Sequence, residues 1–149
     1  PDLVVHSPGP SQPIDFGIPE LVLSLANSKI PQFGVCLGLQ GIAEAFGGSL
    51  KILDVPRHGK QWSIQHTSEG IFKNIESPCR FGAYHSLVVD KLPEELEVTA
   101  WTKEGLVMAI RHKKLPIQAL QFHPESILSM NEDIGHRLIQ NILESFCTR

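Results

Sequence analysis

At 149 residues, 42% of them hydrophobic and 19% charged, the chain has the size of a single domain over residues 1–149. A domain of that size buries roughly 70% of the surface its unfolded form exposes and needs no disulfide framework. A net charge of −3 gives no general attraction to phosphate backbones or anionic lipid, so nucleic acid and membrane surfaces are not expected partners. The three cysteines, Cys36, Cys79 and Cys147, form no CxxC pair, which suggests neither a disulfide scaffold nor a thiolate zinc site and fits a reducing cytoplasm.

In chain order, Leu3, Val4 and Val5 read as a short strand that ends in the turn SPGPSQP, so the chain begins inside structure. Ile18 to Ala26 spaces Leu21, Leu25 and Ala26 on one helical face, with Pro19 in the first turn where its missing N–H does no harm. IPQFGV reads as a buried strand running into Cys36, and Leu39 to Phe46 as a helix stopped by Gly47-Gly48. With SLKIL as the next strand, this order predicts a parallel sheet with crossover helices. The middle changes character: WSIQHT, CRFGAYHS, LEVTAWTK and LVMAIRHK are short, alternating segments separated by turn residues, which predicts antiparallel strands. A buried strand, PIQALQF, then leads into HPES. A final helix runs from about Asp133 to Phe146, with Ile134, Leu138, Ile142 and Leu143 on one face. The expected architecture is α/β, an open, mostly parallel sheet flanked by helices with an antiparallel β addition.

Gly34-Val35-Cys36-Leu37-Gly38 has the strand, sharp turn and helix context of a nucleophile elbow, with cysteine at the nucleophile position. The helix N-terminus brings backbone N–H groups and partial positive charge toward the sulfur and favours the thiolate. A cysteine among apolar residues is also a common core residue, so this pattern leaves Cys36 undecided between nucleophile and core. His123 supplies a base: it follows a buried strand, and strand ends of a parallel sheet gather at one edge, where Cys36 also lies. Glu125, two residues on across Pro124, can reach the same side and fix the imidazole tautomer. Taken singly, His123 reads equally as a strand-end histidine and Glu125 as a solvated carboxylate. The turn at Ser7 to Ser11 belongs at the same edge, where the N–H groups of Gly9 and Leu37 can hold an oxyanion.

SPGPS, GVCLGLQ, YHSL and QFHPES, in that order and spacing, resemble the triad-type, class I glutamine amidotransferases, a likeness that covers nearly the whole chain. The chorismate-using branch is the most similar, comprising the amidotransferase components of anthranilate synthase and of 4-amino-4-deoxychorismate synthesis. The resemblance implies a flavodoxin-like fold of that family, Cys36 as nucleophile, His123 as general base and acid, and Glu125 as its orienting carboxylate. It implies oxyanion donors at Gly9 and Leu37, and a glutamine site formed by Gly9, Pro10, Ser11, Gln40, Ser86 and Leu87. His58-Gly59-Lys60 matches an element that in relatives lies near the active site and the partner. His85 reads as structural, and His6, His66, His112 and His136 as strand or surface residues. The implied partners are L-glutamine and a chorismate-binding synthase, carried on another subunit or fused as a domain. No metal or cofactor is expected in this chain, and Mg²⁺ belongs to the synthase side; a zinc site on Cys36, His85 and His123 lacks the close ligand spacing usual for that metal.

Two departures from the family pattern stand out. Ser11 occupies a position where relatives carry glycine, so a positive φ there costs about 1 kcal/mol or more. The family fold also starts with a further strand and helix before PDLVV, which predicts that the chain is part of a longer polypeptide or that a neighbour covers that sheet edge. The expected activity is hydrolysis of glutamine through a cysteine thioester to supply ammonia for anthranilate, in tryptophan biosynthesis. The alternatives are supply of 4-amino-4-deoxychorismate synthase in folate biosynthesis, a non-catalytic domain that steadies its partner, and a γ-glutamyl peptidase.

Overall fold

The computed structural model describes residues 1–126 and 133–147, apart from the side chains of 55–59 and of residue 147. The elements are β1 (Val4–His6), a 3₁₀ turn (Pro13–Phe16), α1 (Ile18–Asn27), β2 (Gln32–Val35), α2 (Leu37–Ala45), β3 (Ser49–His66), a second 3₁₀ turn (Gly70–Phe72), β4 (Cys79–Lys91), β5 (Leu96–Thr102), β6 (Val107–His112), β7 (Ile117–Leu120) and α3 (Ile134–Cys147). Among the described residues they build one seven-stranded sheet in the order β1-β2-β7-β6-β5-β3-β4.

Alternation along β2 and β7 divides the core. Phe33 and Val35 of β2 and Leu120 of β7 face one side with Phe72, Phe81, Phe122 and Leu138; there the Phe33 ring meets Phe146 of α3 edge-on at 6.1 Å. Ile117 and Ala119 face the other side with Ile18 and Val22 of α1 and Leu39 and Ile42 of α2. Each large apolar side chain among these contributes about 1.5–3 kcal/mol when fully buried. One polar chain crosses the apolar layer: His6 Nε2 and Gln32 Oε1 lie 2.8 Å apart, and Gln32 Nε2 donates to the Val22 carbonyl at 3.1 Å. It ties β1, β2 and α1 together with its buried polar atoms partnered.

The mixed α/β architecture follows the expectation, but the parallel part is narrow. Only β1 with β2 and β2 with β7 pair in parallel among the described residues, whereas β7/β6, β6/β5, β5/β3 and β3/β4 are antiparallel. SLKIL is not the next parallel strand. It opens the 18-residue β3, which pairs antiparallel with β4 from Ser49 opposite Lys91. The place beside β2 is taken by β7, whose Ile117-Gln118-Ala119-Leu120 matches β2 residue for residue.

Two helix faces also differ from the periodicity reading. Leu21 is 47% exposed and Leu143 51%, while Ile18, Val22 and Ala26 in α1 and Leu138, Ile142 and Phe146 in α3 are buried. Both leucines sit at the margin of a wide apolar stripe, and docking onto the sheet decides which margin is covered. No helix among the described residues is long and apolar enough to cross a membrane.

Candidate active site

The end of β2 passes directly into α2 through Cys36, which has φ 54° and ψ −101°. A residue with a Cβ avoids that conformation at a cost of order 1–3 kcal/mol, so the surroundings must hold it. Its N–H donates to the Leu120 carbonyl of β7 at 2.7 Å, and its carbonyl accepts from Gln40 N–H at 3.2 Å. The glycines on either side are required by contact. A Cβ on Gly38 would lie 2.2 Å from the His6 carbonyl oxygen, and one on Gly34 would lie 2.6 Å from the Gly38 carbonyl carbon. Strand and helix therefore approach as closely as backbone allows, and Cys36 is pinned between them with 7% of its surface exposed.

His123 arrives from the other end of the sequence. β7 stops at Leu120, short of the run PIQALQF, and His123 is held by a separate contact in which its N–H donates to the Gly82 carbonyl of β4 at 3.1 Å. Its Nδ1 lies 2.8 Å from Glu125 Oε1, and the same imidazole is hydrogen-bonded to Cys36. The hydrogen bond to Cys36 first, and that to Glu125 next, raise His123 to about pKa 9 against the opposing effect of burial. For Glu125, burial pushes the carboxyl upward, but the His123 hydrogen bond and charge together with its own backbone hold it below the usual carboxylate value. Tyr84 stands edge-on to the His123 ring at 5.4 Å, and its hydroxyl lies 3.0 Å from Ser126 Oγ. Together these contacts fix the HPES segment against β4.

In front of the sulfur is a cavity of about 160 Å³ lined by Gly9, Pro10, Ser11, Cys36, Gln40, Tyr84, His85, Ser86 and Leu87. Gln40, on the first turn of α2, donates its amide to the Leu87 carbonyl at 3.1 Å. Ser11 has φ 68°, and its hydroxyl donates to Asp15 Oδ2, which together with Gln12 N–H lowers the Asp15 carboxyl below its ordinary value. Leu37 follows Cys36 directly at the first position of α2 and is buried. Every residue named from the sequence for the triad and the glutamine site is thus brought to one end of the β2–β7 pair. The side chain of His58 lies outside the described residues. Of the other histidines, His85 is buried on the wall of this cavity, whereas His66 is buried and stacked on Phe72, with burial lowering it, and His6 is buried against Gln32. Cys79 is buried too, and burial pushes its thiol up to about 12. Among the described residues, Cys36, His85 and His123 do not form a set that could hold a metal ion.

Two residues at the site are not singled out by the sequence reading. Tyr84 gives no signal beyond its place in YHSL. Gln121 does: a glutamine inside the otherwise apolar run ALQF must find polar partners where it is buried. It is fully buried, and its Nε2 donates to Cys36 Sγ at 3.6 Å.

A cysteine at a strained strand-to-helix turn, backed by a carboxylate-paired histidine, is the arrangement that α/β proteins with a thiol nucleophile require. The family model of the class-I glutamine amidotransferases matches residues 1–144, and the chain belongs to that family. It is similar to an anthranilate synthase of Azospirillum brasilense, 47% identical over 97% of this chain and 20% of that protein. It is also similar to the aminodeoxychorismate/anthranilate synthase component 2 of Bacillus subtilis, 43% identical over 98% of this chain and 75% of that one. The chain thus spans a fifth of the length of the first relative and three quarters of the second. Its fold matches the crystal structure of a Thermoplasma acidophilum protein assigned to GMP synthase, with TM-score 0.85 and 25% identity over 99% of this chain and 73% of that one.

Proposed function

We propose that the chain hydrolyses the side-chain amide of glutamine and delivers the ammonia to a chorismate-aminating synthase, present on another subunit or as a fused domain. The observation that carries this reading is the Cys36–His123–Glu125 contact series opening on a cavity bounded by the SPGPS turn and YHSL. The Cys36 thiolate attacks the amide carbon, and the N–H groups of Gly9 and Leu37 receive the oxyanion. The His123 imidazolium gives its proton to the departing ammonia, leaving a γ-glutamyl thioester and a neutral imidazole. The two states of His123 follow from what raises it. The hydrogen bond to Cys36 is the largest cause, and acylation leaves the sulfur neutral. His123 then drops back toward the range of a base, removes a proton from water, and the thioester is cleaved to glutamate. Glu125 keeps the imidazole tautomer throughout. Gln40, Ser86, Leu87, Pro10 and Ser11 hold the amino and carboxylate ends of glutamine.

Anthranilate is the product this reading favours for the synthase, with the pair acting in tryptophan biosynthesis; Mg²⁺ is expected at the synthase and no cofactor in this chain. The second reading, 4-amino-4-deoxychorismate, is favoured by one observation: the similar Bacillus subtilis protein carries both names. Chorismate turnover by the intact assembly separates the two by product. The nucleophile is tested by treatment with a glutamine-analogue electrophile and mapping of the adduct. Label is expected on Cys36, with glutamine hydrolysis lost by at least about 10³-fold in Cys36→Ala and falling about 10²–10⁴-fold in His123→Ala. Label on Cys79 instead, or undiminished turnover in either variant, defeats the assignment.

A further inference from the structure

Gln121 lies between the two arms of the site. It is the first residue beyond β7, its main-chain N–H donates to the Met108 carbonyl at 2.8 Å, and the carbonyl of the residue before it, Leu120, receives the N–H of Cys36. Its side chain is wholly buried. A buried primary amide needs partners at both ends, and each end here meets the site. Nε2 donates to Cys36 Sγ at 3.6 Å, and Oε1 accepts from Gln40 Nε2 at 3.4 Å, while that same Gln40 nitrogen donates to the Leu87 carbonyl. Gln40 is also buried, so the chain Leu87–Gln40–Gln121–Cys36 runs from the wall of the cavity to the sulfur through side chains held by packing.

The direction of this chain is set by chemistry. The sulfur offers only an acceptor to Nε2, and a thiolate is a much better acceptor than a thiol or a thioester. The contact therefore strengthens whenever the sulfur is negative: when the thiolate forms for attack and again when it leaves during thioester cleavage.

We propose that Gln121 is a positioning residue, which aims the Cys36 sulfur at the cavity and stabilises its negative form through Nε2 while Gln40 braces the opposite end of the amide. This rests on Cys36 being the nucleophile. The role extends the elbow: the backbone turn fixes the Cα, and Gln121 fixes the sulfur. His123 sits on the sulfur as an exchanging proton partner, whereas Gln121 has no proton to lose and remains a donor at every pH.

The experiment uses the full-length protein with its synthase, and reads the rate of Cys36 alkylation by iodoacetamide against pH together with kcat and KM for glutamine. In Gln121→Leu the pH of half-maximal alkylation is expected to rise by about one unit, equivalent to about 1.4 kcal/mol, because one donor to the sulfur is lost. In the isosteric Gln121→Glu the rise is larger, because a carboxylate then faces the sulfur. In both variants kcat falls by about tenfold, and by more than KM rises. Folded variants whose alkylation profiles superimpose on that of the unaltered protein overturn the proposal. If neither variant folds, the side-chain amide resonances of Gln121 in the unaltered protein decide it. They should shift with pH in step with the alkylation profile and cease to do so once Cys36 is alkylated; resonances indifferent to both overturn it. Alkylation does not depend on glutamine turnover, so an unaltered protein that fails to hydrolyse glutamine defeats the proposed function and leaves Gln121 to be judged by its own profile.

Discussion

The two halves of the site are built by different means. Cys36 is placed by its own neighbours: Gly34 and Gly38 let the strand and helix touch, and the turn between them leaves the residue one conformation. His123 is placed by a distant strand, because nothing in FHPES alone directs it toward the sulfur. Its N–H on the Gly82 carbonyl and the Tyr84 contacts to the ring and to Ser126 bring it there. The comparison teaches that the placement of Cys36 is as stable as a local backbone turn, while that of His123 is as stable as the packing of β4 against the segment after β7. The two arms should therefore fail differently.

The largest effect is expected from Gly38→Ala. A methyl group 2.2 Å from the His6 carbonyl oxygen must push the helix off the strand. Overpacking of this kind costs about 1–3 kcal/mol and sometimes more, so urea unfolding should show a loss at or above the upper end of that range. Labelling of Cys36 should disappear with it. The matching change in the other arm, Tyr84→Phe, removes only the hydroxyl contact to Ser126 and should leave Cys36 labelling intact.

The His123 arm is sharpened by pH. Its folded value, about 9, lies above the ordinary 6.5, so the charged form contributes stability that is present in full below about pH 6.5 and is lost as pH rises through about 9. The stability difference between the unaltered protein and His123→Asn should therefore shrink across that window, with a slope of at most about 1.4 kcal/mol per pH unit. In a Cys36→Ala background the slope should flatten, because the largest cause of the raised value has gone. A difference that stays constant across that window would separate the histidine from the cysteine. Glu125 acts with the opposite sign: held below its usual value, it contributes above about pH 4.5 and loses that contribution in acid.

The smallest effect belongs to Ser11, on the turn facing the elbow. Its φ of 68° strains a residue with a Cβ by about 1 kcal/mol. Its hydroxyl gives back part of that through Asp15. Stability should rank Ser11→Gly above the unaltered chain, by no more than about 1 kcal/mol, and Ser11→Ala below it. In both variants the Asp15 carboxyl should climb back toward its ordinary value, as an NMR titration would read.

Much of the site is legible in the sequence because its determinants are short-range. Two glycines flanking Val35-Cys36-Leu37 predict a tight turn from sterics, and a histidine two residues from a carboxylate across a proline predicts their contact. Gln121 is less legible because its meaning depends on who its neighbours are: the same glutamine on an exposed strand face would be unremarked. The start of β3 departs from expectation for a related reason. SLKIL has the alternation of any strand, and that alternation does not reveal in advance whether the partner is parallel or antiparallel. Leu21 and Leu143 fall outside the buried faces because helical spacing gives the width of an apolar stripe but not the angle at which it docks.

The sequence by itself determined the elbow, the pairing of His123 with Glu125, the turn that carries Gly9 to Ser11 and the class of chemistry they permit. Each of these depends on covalent geometry and contacts within a few residues. Tertiary structure alone decided that β7 rather than SLKIL lies beside β2, that His123 reaches the sulfur by way of β4, and that Gln121 ends on Cys36. Those depend on which strand occupies which place in the sheet, a choice made by the burial of the whole apolar surface together.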